Sequence, residues 1–363
     1  MTVCLSTIVK NEAPIIRRCL SSVLAHIDCW AISDTGSTDG TQGIVRDVMS
    51  GVPGELIERP WRDFASNRQD AMDLARMMGT DYVLIMDADE WLVPSCDRPF
   101  DGLTADQYNV DHRREGCLIE LLRPSVVKAS IPWKWQGVLH ECLTGPWRTK
   151  DRLRTAIIDY KFDGARNADQ QTKFERDAEV LERALADDPT NARYRFYLAQ
   201  SYRDAGDVAR AEAAYIKRAD MGGWVEEVYV SWLRIAALRI AMGKPRADVI
   251  DAYLRAHSAQ PLRAEALCDL ARYCRLSNDF VAASIFAREA VRIPRPDDAL
   301  FLDHSVYEYR AFDELSVASY LIGNYRDAAD MARLALHSSV DGDARVRIHR
   351  NYDVSTARLR GLR

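Results

Sequence analysis

Tyr82 to Glu90 reads YVLIMDADE: five apolar residues, then a cluster of three carboxylates around Ala88. A short, unbroken apolar run is the pattern of a strand buried on both faces. At its end the side chains of Asp87 and Asp89, two residues apart, project to one side. Two hard oxygen donors so placed suit Mg²⁺ or Mn²⁺, an ion that keeps several waters and bridges to phosphate oxygens. An acidic triplet alone is a weak signal, because such triplets are common on loops. Its surroundings give it meaning.

Upstream, strand-like and helix-like segments alternate. Val3 to Val9 is apolar and β-branched. Pro14 to Ala25 carries Ile15, Ile16, Leu20, Val23 and Leu24 at helical spacing. Trp30 to Ser33 and Leu56 to Arg59 read as short strands. Thr41 to Met49, opened by Asp39 or Thr41 as cap, and Phe64 to Met78 read as helices. This alternation predicts an α/β domain with a mostly parallel sheet and helices on both faces. Ligands of such sheets sit beyond the carboxyl ends of the strands. The polar clusters fall there: Lys10-Asn11-Glu12, Asp34 to Thr41 (DTGSTDGT) and Asp87 to Glu90. Asp34, at a strand end, can accept an N–H from a nucleobase. Gly36 to Thr41 supplies a tight turn and a helix start. Arg68, on the helix before YVLIM, offers a planar fork for a diphosphate, or equally a surface ion pair.

Beyond about Lys173 strand signals end, and Ala, Leu, Arg, Tyr and Glu recur near a period of 3.6. Leu198, Ala199, Tyr202, Gly206, Ala211 and Tyr215 fall on the spacing of a tetratricopeptide helix–turn–helix unit. Leu270, Ala271, Cys274, Ala283, Ala287 and Ala290 repeat it, with Asn278 at the turn. Ile235, Ala236 and Gly243 give a weaker copy, and Leu315, Gly323, Ala328 and Ala335 another. Asp177, Leu181, Ala184 and Pro189 form a half unit before the first. The predicted division is a nucleotide-binding domain over 1–165 and an all-α repeat domain over 172–363, with Gly164, Asn167 and Asp169 breaking the pattern between them. Gly222, Gly223 and Trp224, with Glu226 and Glu227, interrupt the helical register. They read either as a structural break or as a loop shaped for a partner.

The 363 residues are 47% hydrophobic and 28% charged with a net charge of −5, so nothing global marks a nucleic-acid or anionic-membrane binder. Cys4, Cys19, Cys29, Cys96, Cys117, Cys142, Cys268 and Cys274 show no zinc spacing and read as reduced. No secretory leader precedes the first strand, and no apolar run approaches the roughly 20 residues that span a bilayer. The expectation is a cytoplasmic protein.

TIVKNEA, DTGSTDGT, DFASNRQDAM and DYVLIMDADEWL, in this order, resemble the family 2 glycosyltransferases of GT-A fold over roughly residues 1–160. KFERDAEVLERAL, NARYRFYLAQSYRDAGD and GGWVEEVYVSWLRIA resemble the branch carrying tetratricopeptide-like repeats behind the catalytic domain. The resemblance implies a metal-dependent, inverting transfer from a nucleotide-diphosphate sugar, UDP-sugar as the default donor. Thr7, Glu12 and Asp34 would line the base and ribose site, together with Val9 and Asn11. Arg68 would approach the phosphates, Asp87 would contact the ribose or metal-bound water, and Asp89 would ligate Mn²⁺ or Mg²⁺, with Asn67 and Ala88 also in the nucleotide-binding set.

Inversion needs a carboxylate to deprotonate the acceptor. Many relatives draw it from a Glu-Asp pair after the Asp-x-Asp motif, and this chain has none between Trp91 and Tyr160. WKWQGVLHECL, Trp133 to Leu143, stands there instead. It offers Glu141 as base and His140 as third metal ligand, with Asp111 and Glu120 as weaker rivals for the base. Trp91, Trp133 and Trp135 either stack on sugar faces or pack in the core. The repeats favour a protein or peptide acceptor and permit a homodimer. The resembling enzymes also act on glycans, and a modified nucleobase stays open as an acceptor here, disfavoured by the net charge. Two other readings stay open: a non-catalytic binding module built on the repeats, and nucleotidyl or sugar-phosphate transfer.

Overall fold

The computed structural model describes residues 1–114, 120–165, 170–298, 300–337 and 342–361. Cys117, Asn167 and Asp169, and the side chain of Glu120, lie outside the described residues. The chain divides into two compact units, Met1–Ala184 and Leu185–Arg363.

The first unit runs β1 (Val3–Val9), α1 (Ile16–Val23), β2 (Cys29–Asp34), α2 (Thr41–Val48), β3 (Gly54–Glu58), α3 (Phe64–Met77), β4 (Tyr82–Ile85), β5 (Glu90–Pro94), β6 (Gln107–Arg114), β7 (Glu120–Lys128), β8 (Lys134–Gln136), β9 (Cys142–Thr144) and β10 (Lys150–Tyr160). Eight strands form one sheet in the order β3-β2-β1-β4-β7-β6-β10-β5, and β8 pairs with β9. The first four strands are mutually parallel, with Val9 opposite Asp34 and Ser6 opposite Ile85. β10 is parallel to β6, and the β4–β7, β6–β7 and β5–β10 pairings are antiparallel.

Alternate residues of the apolar strands serve two cores. Val3 and Leu5 of β1 and Tyr82 and Leu84 of β4 pack with α1 residues Ile16, Cys19, Leu20 and Val23. Cys4, Val83 and Ile85 pack on the other face with Met72, Leu74 and Ala75 of α3. Helices on both faces explain why these strands are apolar throughout rather than alternating. The start of α2 differs from the sequence expectation. Its cap position is Gly40, at φ +91°, and Asp39 acts one residue earlier, accepting from the Thr41 amide at 3.1 Å and its hydroxyl at 2.6 Å.

Helix α4 (Gln170–Asp187) crosses into the second unit. There follow α5 (Ala192–Asp204), α6 (Val208–Asp220), α7 (Val225–Ala241), α8 (Arg246–Ala259), α9 (Glu265–Leu276), α10 (Phe280–Arg292), a π-helical turn Val306–Arg310, α11 (Ala311–Leu321), α12 (Tyr325–Ala335) and α13 (Gly342–Leu359). From α5 to α13 each helix packs on its chain neighbours, the signature of a solenoid. The repeat is visible in the turns. Gly206, Gly243, Asn278 and Gly323, each just past the first helix of a pair, all sit at positive φ. Asp207, Asp279 and Asn324 then cap α6, α10 and α12 through their side chains. Leu198, Ala199, Tyr202, Ala211 and Tyr215, and their counterparts Leu270, Ala271, Cys274, Ala283, Ala287 and Ala290, are buried as the spacing predicts.

The Gly-Gly-Trp break is structural. Arg218, fully buried, donates to Glu227 Oε2 at 2.8 Å and to the carbonyl oxygens of Gly222 at 2.8 Å and Trp224 at 3.4 Å. Glu226 accepts from the amide of Leu300 at 2.7 Å.

Candidate active site

Because β1, β2 and β4 run parallel, their carboxyl ends bring three polar loops to one edge of the sheet. Asp34 ends β2 and is buried. Its Oδ1 accepts from the amides of Gly36 and Ser37 at 2.9 and 2.8 Å, which shapes the following turn. Its Oδ2 is buried and has no hydrogen-bond partner in the protein. A buried carboxylate oxygen without a donor is costly, so this atom is open to a donor from outside the chain. Thr7, also buried, lies on β1 and lines a shallow concavity with Ser6, Ile8, Arg68, Ile85 and Trp135.

The residues after β1 brace this loop. The Asn11 side chain accepts from the amide of Thr38 at 2.8 Å, and its own amide donates to the Ser37 hydroxyl at 2.8 Å. The Val9 carbonyl accepts from the amide and hydroxyl of Thr35. Val9 itself is core, and Ala88 is buried in the same cluster. Asn67 is fully buried: its Oδ1 accepts from the amide of Arg62 and its Nδ2 donates to the carbonyl of Pro60. Its amide is spent on that loop, which takes Asn67 out of the expected nucleotide-binding set. Trp133 is likewise fully buried, donating to the Lys128 carbonyl at 2.9 Å, and is core rather than a sugar platform.

Arg68 is the hub of the acidic cluster. Its Nη2 stands 2.6 Å from Asp87 Oδ1 and its Nε donates to Glu141 Oε1 at 2.6 Å, with Trp135 alongside at 5.3 Å from ring centroid to guanidinium. The guanidinium expected to clamp phosphates thus ties the Asp-x-Asp turn to the segment bearing Glu141. Burial alone would raise the Asp87 pKa, but Arg68 and Arg123 hold it below the ordinary carboxylate range. Asp89 goes the other way. Burial, then the negative charges of Asp87 and Glu90, push it up to about 7. Glu12 is also raised by burial, against the hydrogen bond it accepts from the amide of Ala165 at 3.2 Å.

That excess of carboxylate over cation is what a divalent ion relieves, and oxygen donors are the right kind for Mg²⁺ or Mn²⁺. Among the described residues no group of three or more His, Cys, Asp or Glu side chains is gathered to hold a metal. His140, exposed and at φ +51°, does not complete a three-ligand set with Asp87 and Asp89. The site fits a cation shared between one or two carboxylates and a diphosphate, not an all-protein cage. Of the rival bases, Asp111 is paired with Arg152, which donates to its Oδ2 at 2.6 Å.

Residues 4–100 match the family model of glycosyl transferase family 2. This stretch is a family 2 glycosyltransferase domain. The match ends before β6, so Arg123, His140 and Glu141 lie outside it. A TPR repeat-containing protein of Synechococcus elongatus is 27% identical over 214 residues, covering 52% of this chain and 49% of that protein. The chain therefore spans about half the length of the curated relative it matches. Solved structures similar to part of the chain include BtubC from P. vanneervenii (18% identity, TM-score 0.42, 55% of this chain and 86% of that one) and the MamA protein (17%, 0.37, 46% and 83%). A thermophilic TPR protein of Thermus thermophilus is similar at 15% identity and TM-score 0.35, over 50% of this chain and 91% of its own. The second unit is tetratricopeptide-like, in keeping with its sequence spacing. No helix among the described residues is long and apolar enough to cross a membrane, and the described cysteines are free.

Sequence reading missed the braces of the first unit. Glu90 Oε2 accepts from the Asp87 amide at 2.8 Å, and its Oε1 from Arg123 at 2.9 Å. His112, buried, places Nδ1 3.2 Å from Glu90 Oε1 without a formed hydrogen bond and joins Ser125 through Nε2 at 2.8 Å. Arg18 grips Asp163 with two bonds of 2.8 Å, reaches the Asp89 carbonyl at 3.3 Å and covers Trp91 at 4.5 Å. A Cβ on Gly164 would stand 3.4 Å from Glu12 Oε1 and 3.7 Å from Asp89 Cβ, so that glycine belongs to the site rather than to a linker. The signal available was the buried charge itself: Glu90 and His112 lie in strands that are otherwise apolar or paired on both sides.

Proposed function

We propose that the chain moves a sugar from a nucleotide-diphosphate sugar, UDP-sugar by default, to an acceptor hydroxyl or amide with inversion at the anomeric carbon. The observation that carries this reading is the unpartnered, buried Oδ2 of Asp34 on the same sheet edge as Asp87 and Asp89. Asp34 accepts the base N–H, and its Oδ1 keeps the loop in place. Thr7 lines the floor beside it. Asp89, with Asp87, would hold a divalent cation, which when bound neutralises charge on the departing diphosphate. Arg68 positions Asp87 and Glu141 relative to each other. Glu141, its Oε1 held by Arg68, has Oε2 available to take the acceptor proton as the new glycosidic bond forms and the bond to the diphosphate breaks. A protein or peptide acceptor is favoured by the repeat unit, and the work is done without a membrane-spanning helix among the described residues.

The test is calorimetric titration of UDP with and without Mn²⁺ into the wild type, Asp34→Asn and Asp89→Asn. Synergy between UDP and Mn²⁺ is expected in the wild type. Asp34→Asn should weaken UDP in either condition, and Asp89→Asn should remove only the synergy. Absence of UDP binding by the wild type in both conditions overturns the donor reading, and a nucleotide-sugar hydrolysis screen then names the alternative.

A further inference from the structure

The second unit buries its ions in closed pairs. Arg263, fully buried, is met by Glu265 at 2.7 Å and by the carbonyls of Leu300 and Phe301, and Arg275 by Glu314 at 2.6 Å. Arg234, on α7, breaks this rule. It is half-buried, its Nε is enclosed without a hydrogen-bond partner, and among the described residues no carboxylate lies within ion-pair distance of it. Burial and the nearby cation Arg203 both lower its pKa, the direction of a guanidinium lacking its counter-ion. Arg203 itself is taken up by Asp204 at 2.7 Å, and Asp269, the other acid in the neighbourhood, is held by Arg310 at 2.7 Å. The fully buried Tyr215 on α6, in the field of both arginines, has a hydroxyl with no partner.

Beside this charge stands an exposed aromatic ring. Phe301 is 48% exposed, lies 5.9 Å from the Arg234 guanidinium and has φ +50°, a conformation a bulky side chain adopts only under constraint. The constraint is visible: Arg263 holds the carbonyls of residues 300 and 301, and Glu226 holds the Leu300 amide. An unpaired, partly desolvated cation next to a ring fixed in a strained, outward pose is a site built for something outside the unit.

We propose that Arg234, Arg203 and Phe301 form a seat for one acidic side chain and its apolar neighbour in a peptide. The carboxylate would meet the open end of Arg234, the apolar side chain would lie on Phe301, and the enclosed Nε and the Tyr215 hydroxyl would be left to a water. Charges in the unit otherwise nearly cancel, so a single anionic group is matched and a polyanion is not. The ring argues against a bare inorganic anion. The inference is independent of the transferase reading, since it uses only residues of the second unit.

The experiment is fluorescence anisotropy of the full chain with a labelled peptide carrying a single Asp next to a Leu in a neutral Gly-Ser background, beside the same peptide with Asn for Asp. Saturable binding of the Asp peptide is expected, at least tenfold tighter than the Asn form. Arg234→Leu should lose at least tenfold while its melting temperature stays level or rises, because an uncompensated cation leaves a poorly hydrated place. Phe301→Gly should also lose at least tenfold while folding is eased at a positive φ. Equal or absent binding of the two peptides overturns the proposal, as does a folded Phe301→Gly that binds like wild type. Displacement of the peptide by a single-stranded oligonucleotide or by inorganic phosphate at equal concentration also overturns the assignment to a peptide.

Discussion

The two units bury charge in opposite ways. In the repeat unit Arg218–Glu227 and Arg263–Glu265 are closed, each guanidinium also donating to backbone carbonyls, and Arg234 is the exception. In the first unit Asp87, Glu90 and Glu141 share Arg68 and Arg123, and two neighbouring carboxylates are driven apart in pKa, Asp87 down and Asp89 up to about 7. Closed pairs specify a fold. An open excess of one sign, in a cleft, specifies a ligand of the other sign.

The largest effect expected is on turnover. Asp89→Asn should lower transfer by about three orders of magnitude or more, on the scale of losing a preorganised electrostatic contact, read as product formed per unit time with any donor that hydrolyses. Normal turnover in the folded variant would remove Asp89 from the chemistry.

Next comes the contrast in pair breaking. Arg68→Met and Arg218→Met each strand buried carboxylate and should each cost about 3–5 kcal/mol in urea unfolding. UDP with Mn²⁺ stabilises any folded form that binds it, so the gain should be larger for Arg68→Met than for Arg218→Met, because only at Arg68 can an added cation replace the guanidinium. Equal gains in both, or none in either, would erase the distinction between the units.

The pH dependence sharpens the same point at smaller scale. A carboxyl whose folded pKa lies above its unfolded one binds its proton more tightly when folded, so stability is fullest below about pH 4 for this group and falls as pH rises towards about 7. The span amounts to at most about 4 kcal/mol. Asp89→Asn should therefore melt higher than wild type at pH 8 and lose that advantage by pH 4. A wild-type-like melting temperature at both would mean that Asp89 is not desolvated in solution. Smallest of all, Gly206→Ala, at φ +82° with open space around it, should cost about 1 kcal/mol in the repeat unit and leave UDP binding untouched.

Much of this was legible in the sequence. The apolar run YVLIM ended where Asp87 begins, and the repeat spacing of Leu198, Ala199, Tyr202 and Gly206 recurred in order, because period and turn chemistry are local properties. The placing of Asp34, Asp87 and Asp89 on one edge followed from parallel strands. Side-chain partners were another matter. Asn67, grouped with the nucleotide-binding residues, is a buried brace of Pro60 and Arg62, and Trp133, open between sugar platform and core, is core.

What the sequence determined by itself was the order and kind of the elements as far as β4, the spacing of the helical repeats, and the residues that end the parallel strands, since these depend on spacing of a few residues along the chain, whereas β5 to β10 were not read from it. Which charges meet was decided only by the tertiary structure. Arg68 reaches Glu141 across 73 positions and Arg18 reaches Asp163 across 145. Electrostatic energy depends on distance in space and on burial, and neither is written in the separation of two residues along a chain.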